Sequence, residues 1–319
     1  VHDALIKAAA DLISADSPNY SQVAARLSIF KIRKDAHGQY EYPDFYEHIL
    51  KNVTRGVYDS EIMHKYSCEE IDELGAYMKP ERDDNFGYAA TTQLRGKYLV
   101  QHRVNGEIYE SPQHIYMLVG MCLYQDWNNG DMGKTRLEMV KGFYDVTSTF
   151  KLSLPTPIMA GVRPPTRQFS SCVLIESGDS LKSINATTSA IVEYISQRAG
   201  IGVNFGSIRA LGSPIRNGEA THTGVIPFLK LFQAAVKSCS QGGVRGGAAT
   251  AYYPLWHLEA NSLLVLKNNR GVDSNRVRHM DYGVELNRLM YRRLIEGGAI
   301  TLFSPHDVPG LLNAFYADQ

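Results

Sequence analysis

The sequence has 319 residues, 44% of them hydrophobic and 21% charged, enough to bury a substantial core in one to three domains. Its 33 Lys and Arg equal its 33 Asp and Glu, so no global field draws it to nucleic acid, and only a local basic patch stays open. Its apolar runs fall far below a membrane span, and the opening VHDALIKAAADL carries charge where a signal peptide needs an apolar core; the default location is cytoplasmic.

The first 37 residues predict two helices. ALIKAAADLISA repeats apolar positions at helical spacing, Ser17-Pro18-Asn19 interrupts it, and VAARLSIFKIRKDAH resumes it, with Gly38 as a C-terminal stop. From Tyr40 to about Phe150 the pattern stays helical, with Pro112 and the polar DWNNGDMGK, Asp126 to Lys134, as connectors. Inside this region Arg103-Val-Asn-Gly-Glu predicts a tight turn between short extended pieces. Composition changes near Lys151, where four prolines precede a strand over Ser171 to Ile175. There follow a helix over Ile184 to Ala199, a strand over GIGVNFG, a helix over His222 to Ser240, a strand over AATAYYPLWH, a helix over ELNRLMYRRLIEGG and a strand over Ala299 to Pro305. Alternating strand and helix predicts an α/β fold, barrel or open sheet, after a smaller helical region. Ligands in such folds meet the loops at strand ends, which directs attention to Thr156, Cys172, Asp179, Arg209 and Gly242.

Cys68, Cys122, Cys172 and Cys239 stand far apart, without zinc or redox-couple spacing, and a buried thiol is the default reading of each. His2, His37, His48, His64 and His257 read as surface or locally bonded histidines, and no bound metal is expected. Val1 in place of Met, and a stop at NAFYADQ without a closing element, suggest a piece of a longer chain.

CSQGGVRGGAAT, Cys239 to Thr250, is the strongest local anomaly. Its four glycines permit positive φ, close approach to a ligand and motion, and Arg245 adds a planar donor fork. It matches neither the dinucleotide fingerprint nor a phosphate loop, so a ligand-contacting or mobile loop competes with a glycine-rich structural crossing. In GDSLKS, Asp179 and Ser180 read as N-cap residues, or Asp179 as acceptor of a sugar hydroxyl. Arg209 and Arg216, around Gly212 and Pro214, could close on phosphates or serve surface solubility. Thr156 lies between two prolines, and Ser171 precedes Cys172. Hydroxyls beside a reactive thiol could hold a substrate phosphate, but a disulfide mechanism needs a second thiol within reach, and spacing assigns none.

Taken together, TPIMAGVRPPTRQFSSCVLIESGDS, SQRAGIGVNFGSIRALGSPIR, SCSQGGVRGGAAT, HLEANSLLVLKNNRG and NRVRHMDYG resemble the large catalytic subunit of class I ribonucleotide reductase, in the same order and along essentially the whole chain. The resemblance implies radical reduction of ribonucleoside diphosphates to deoxyribonucleoside diphosphates for DNA synthesis, and about the first half of a ten-stranded α/β barrel. It implies a C-terminal remnant of an ATP-cone over 1–37, a mainly helical domain over 38–150 and the barrel half over 151–319. Cys172 matches the redox cysteine that reduces the 2'-carbon site and forms a disulfide with a second cysteine. Thr156, Ser171 and Gly200 match substrate-binding positions. Asp179, Ser180, Leu181, Arg209 and Arg216 match the specificity site for ATP or a deoxynucleoside triphosphate at a homodimer interface. Gln241 and Arg245 match the messengers between effector and substrate, with their loop's glycines serving motion. Lys34 matches an ATP contact.

The same resemblance implies a radical supplied by a metal-containing small subunit and electrons from thioredoxin or glutaredoxin. The thiyl-radical cysteine, its neighbouring asparagine and glutamate and the disulfide partner of Cys172 have no counterpart before Gln319, so catalysis is expected only with a separate C-terminal half. DWNNGDMGK is longer than the family connector, and Ser177 stands where some relatives have cysteine. The competing readings are a noncatalytic nucleotide-binding regulatory or assembly module and, from outside the family, another barrel enzyme.

Overall fold

The computed structural model describes residues 1–167, 169–241 and 245–317, leaving out the side chains of Ser240, Gln241 and Arg245. The chain forms two compact units, residues 1–169 and 170–319. The division falls at Phe169/Ser170 and not near Lys151, where composition changes, because Thr156–Arg163 is anchored within the first unit by the hydrogen bonds of Arg163.

The first unit is helical. Its opening helices, His2–Asp11 and Tyr20–His37, agree with the periodicity, and Gly38 ends the second in the left-handed region at φ 75°, donating its N–H to Lys34 O. The segment from His2 to Asp145 belongs to the same compact unit, with Arg33 reaching Asp83 at 2.6 Å. Pro112 is the first residue of a helix, Pro112–Tyr124, rather than part of a connector; its missing N–H is harmless there, and Ser111 caps it. That helix is buried on every side from Pro112 to Cys122, which accounts for its nearly uninterrupted apolar sequence. The expected hairpin reduces to one antiparallel bridge, Gln101 with Ile108, closed by His102 N–H to Glu107 O at 2.8 Å.

Three histidines from different elements meet in this core. His48 and His114 stack with centroids 3.9 Å apart, and His37 lies edge-on to both. Burial, then repulsion from His37 and Lys51, lowers the His48 pKa to about 3, while burial, then Lys51 and Arg33, lowers that of His37 to about 4. Burial, then the other two imidazoles and Arg33 and Arg163, lowers His114 well below its ordinary value. These folded-state values lie below the unfolded value near 6.5, so the unfolded chain binds more protons and stability is lost as pH falls from about 6.5 toward 3. A fully neutral buried histidine contributes up to about 1.4 kcal/mol per pH unit to that slope, and the partly exposed His37 less. Urea midpoints should therefore fall between pH 7 and pH 4, and less steeply in His48→Asn; equal slopes would contradict the account.

The second unit is built on a parallel sheet. Its strands are β1 (Cys172–Glu176), β2 (Gly200–Asn204), β3 (Pro214–Ile215), β4 (Ala220–Thr221), β5 (Ser240–Gln241), β6 (Arg245–Gly246), β7 (Ala249–Pro254) and β8 (Asp281–Glu285). β1, β2, β7 and β8 form the sheet in that order, every neighbour parallel, while β3 pairs with β4 and β5 with β6 as short antiparallel ladders. Helices Leu181–Ser196 and Ile226–Ser238 supply Ile184, Ile191, Ile195, Leu229, Phe232 and Val236 to a core against Val173, Ile201, Val203, Ala251 and Tyr253. Alternation along each strand turns Cys172, Leu174 and Glu176 to the opposite face, where all three are exposed and Leu174 is 82% accessible. Parallel sheets are normally covered on both faces.

Two strand assignments change. Ala299–Pro305 contributes only one parallel bridge, His257 with Phe303. β8 is a strand that the sequence pattern does not single out, because Asp281, Gly283 and Glu285 fall on the open face and only Tyr282 and Val284 pack inward, leaving a weak alternation signal. Among the described residues no helix is long and apolar enough to cross a membrane.

Candidate functional site

Cys172 opens β1 directly opposite Gly200, the first residue of β2. Gly200 N–H donates to Ser171 O at 2.8 Å, which fixes the Ser171–Cys172 backbone beside it. A Cβ on Gly200 would stand 3.4 Å from Cys172 Sγ, so glycine leaves the thiol a clear flank. Ser171 and Cys172 are exposed, and Cys172 is a free thiol. The buried-thiol reading holds for Cys122, whose pKa burial pushes up to about 12. It is corrected for Cys68 and Cys172, both exposed, and Cys239 is intermediate, packed at the edge of the core. Thr156 belongs to the first unit, as the first residue of a helix, Thr156–Gly161.

The turn after β1 is tied by side chains. Ser180 is the N-cap of the Leu181–Ser196 helix, accepting from Ser183 N at 3.1 Å, and Ser183 Oγ accepts from Gly178 N at 2.8 Å. Asp179 does not share that cap. Its carboxylate accepts from Arg209 backbone N at 3.0 Å and Nε at 2.8 Å and pairs with Nη2 at 2.7 Å. Arg209 also donates to Pro214 O at 2.6 Å, joining the turn to the β3–β4 hairpin. Arg209 is therefore already paired, whereas Arg216 at the hairpin tip is 74% exposed, with Glu219 only at 3.9 Å. Arg216 and Asn217 have φ of 50° and 59°, a conformation disfavoured for arginine. Leu181 is exposed one residue beyond the cap.

β5 and β6 bring Gln241 opposite Arg245 in backbone register. Their side chains, and Gly242 to Val244 between them, lie outside the described residues. Gly247 has a steric duty: a Cβ there would fall 1.9 Å from Val236 O, and Gly247 O accepts from Lys237 Nζ at 3.0 Å. Among the described residues, nothing lies within 4 Å of a Cβ placed on Gly246.

Residues 84–167 match the family model for the ribonucleotide reductase all-alpha domain, and residues 170–319 that for the ribonucleotide reductase barrel domain. The chain belongs to the ribonucleotide reductase large-subunit family. Over its full 319 residues it is 66% identical to the ribonucleoside-diphosphate reductase 1 subunit alpha of Salmonella typhimurium and 65% identical to that of Escherichia coli. It is 58% identical to the subunit alpha of Enterobacteria phage T4 over 99% of its own length. The chain spans 41% of the length of each of these relatives.

Within this chain the sequence-derived positions fall into separate groups. Ser171, Cys172 and Gly200 meet at the start of β1 and β2; Asp179, Ser180, Leu181 and Arg209 meet at the following turn, with Arg216 on the adjoining hairpin. Lys34 is committed locally, its Nζ donating to Gly38 O at 2.5 Å and lying 5.5 Å from the Tyr40 ring centroid. Sequence reasoning missed Glu259, whose Oε2 accepts from Leu211 N and Val225 N, each at 3.0 Å, and so braces the loop behind the β3–β4 hairpin. Nothing local singles it out in HLEANS, since its partners lie far back along the chain. Ser177 is buried, and among the described residues its hydroxyl has no hydrogen-bond partner. Ser177→Cys should raise stability by about 1 kcal/mol by removing that orphaned group; a lower melting temperature would contradict this.

Proposed function

We propose that this chain is the part of a ribonucleoside-diphosphate reductase that holds the specificity effector and presents one of the two reducing thiols. The observation that carries the reading is the apposition of exposed Cys172 and Gly200 at the head of a parallel sheet, with Ser171 locked beside them. In this role Cys172 and a second thiol each give up a hydrogen and join in an S–S bond. The 2'-hydroxyl of the nucleotide leaves as water, and hydrogen takes its place on carbon. Ser171, Gly200 and Thr156 contact the diphosphate substrate, and thioredoxin or glutaredoxin returns the disulfide to thiols. The radical comes from a metal-containing small subunit. Similarity along the whole of this chain to reductase alpha subunits favours this over a noncatalytic module.

The effector, ATP or a deoxynucleoside triphosphate, sits at the Asp179–Leu181 turn in a homodimer. Ser180 and Arg209 are pre-ordered by the contacts above, and exposed Arg216 meets phosphate. Gln241 and Arg245 relay effector identity to the substrate. Calorimetry with dTTP, dGTP and ATP, at chain concentrations spanning monomer and dimer, tests the effector part. Saturable binding is expected, weakened roughly 10-fold or more in Arg216→Ala, since a charged hydrogen bond contributes about 1.5–3 kcal/mol. A folded dimer that binds none of the three nucleotides would remove the effector assignment.

A further inference from the structure

The Thr156–Gly161 helix has 6 residues, too few to hold its place by its own hydrogen bonds. It is pinned from its C-terminal end. Arg163 and Glu110 both have side chains with 0% exposure. Arg163 Nε donates to Glu110 Oε2 at 2.8 Å, and Nη2 completes the fork on Oε1. Nη2 also donates to Tyr98 O at 2.8 Å, and Nη1 to Met159 O, a carbonyl of the short helix, at 2.5 Å. Glu110 is held in turn by Val100 N at 2.7 Å and Tyr58 hydroxyl at 2.9 Å, while Asp59 N–H donates to Arg163 O at 2.8 Å. Desolvation opposes the Arg163 charge, and attraction and hydrogen bonding to Glu110 outweigh it, holding the guanidinium above its ordinary pKa.

A buried ion pair is a poor source of stability compared with packed apolar residues, but a planar fork with every bond made fixes geometry. Met159 stands three residues beyond Thr156, about 4.5 Å along the axis, so the carbonyl that Arg163 grips determines where Thr156 stands.

We propose that the Glu110–Arg163 pair is the positioning element for Thr156, setting the location of its hydroxyl toward the substrate diphosphate. This rests on the reading of Thr156 as a substrate contact. The test uses a subunit of the relatives' full length containing this sequence, assayed with its radical-generating partner, in a cycle of Arg163→Lys, Thr156→Val and the double variant. Arg163→Lys keeps the charge and loses the fork. It should raise KM for the ribonucleoside diphosphate about tenfold with kcat within about twofold, and change KM no more than about twofold further once Thr156 is valine.

If Thr156→Val alone leaves KM unchanged, the substrate reading of Thr156 fails. If Thr156→Val raises KM while Arg163→Lys is silent, or multiplies fully with it, the positioning role alone is overturned. Should Arg163→Lys not fold, Glu110→Gln carries the same cycle. Amide exchange in the unmodified protein gives a second reading. Protection of the last turn of Thr156–Gly161 comparable to that of Pro112–Tyr124 supports pinning, and exchange at unprotected rates overturns it.

Discussion

Replacing Arg163 with alanine should destabilise the chain by about 3–5 kcal/mol, because it leaves the Glu110 carboxylate charged, fully buried and without its cation. In many proteins an apolar pair of similar volume replaces a buried ion pair at little loss, but here Tyr98 O, Met159 O, Val100 N and the Tyr58 hydroxyl all bond to the pair. Arg163→Met with Glu110→Leu would leave several of these groups orphaned, each at about 1–3 kcal/mol. The double variant should therefore remain well below wild type in urea unfolding. Wild-type stability in it would mean that those backbone groups find other partners.

Gly247→Ala is expected to have an effect of comparable size. The new Cβ would lie 1.9 Å from Val236 O, a backbone atom inside the Ile226–Ser238 helix that cannot swing aside as a side-chain tip can. Either the chain loses about 3 kcal/mol or more, or the backbone from Arg245 to Ala249 shifts and breaks the bond from Lys237 Nζ to Gly247 O. Gly246→Ala, with nothing among the described residues within 4 Å of its new Cβ, is the control and should change stability by less than about 1 kcal/mol. Equal melting temperatures for the two variants would sink the steric account. If the loop shifts rather than the chain unfolding, the proposed relay role predicts that, in a subunit of the relatives' full length, effector-dependent choice among substrates weakens more than effector binding itself, which product ratios and calorimetry separate.

The glycine-rich run shows where sequence reading and structure part. Motion was one reason for its glycines; at Gly247 the requirement is close packing against a helix carbonyl, which no local pattern encodes. Asp179 and Ser180 looked alike as helix-cap residues in GDSLKS. Structure separates them, giving the cap to Ser180 and the ion pair to Asp179, because Arg209 arrives from beyond β2. The histidine cluster and the Glu110–Arg163 pair were equally hidden, since each joins residues from elements far apart in sequence.

By itself the sequence determined what depends on near neighbours: the existence, though not the bounds, of the helices found over 2–11, 20–37, 181–196 and 226–238, the Gly38 stop, the principal strands at Cys172, Gly200 and Ala249, and the family through blocks of contiguous residues. Periodicity and capping are interactions over three or four residues, so they are written locally. Only the tertiary structure decided that Asp281–Glu285 is a strand and Ala299–Pro305 a single bridge, that Cys172 faces Gly200, and that Arg163 grips Met159. These depend on register and on which distant groups are buried together, and burial is a property of the folded chain.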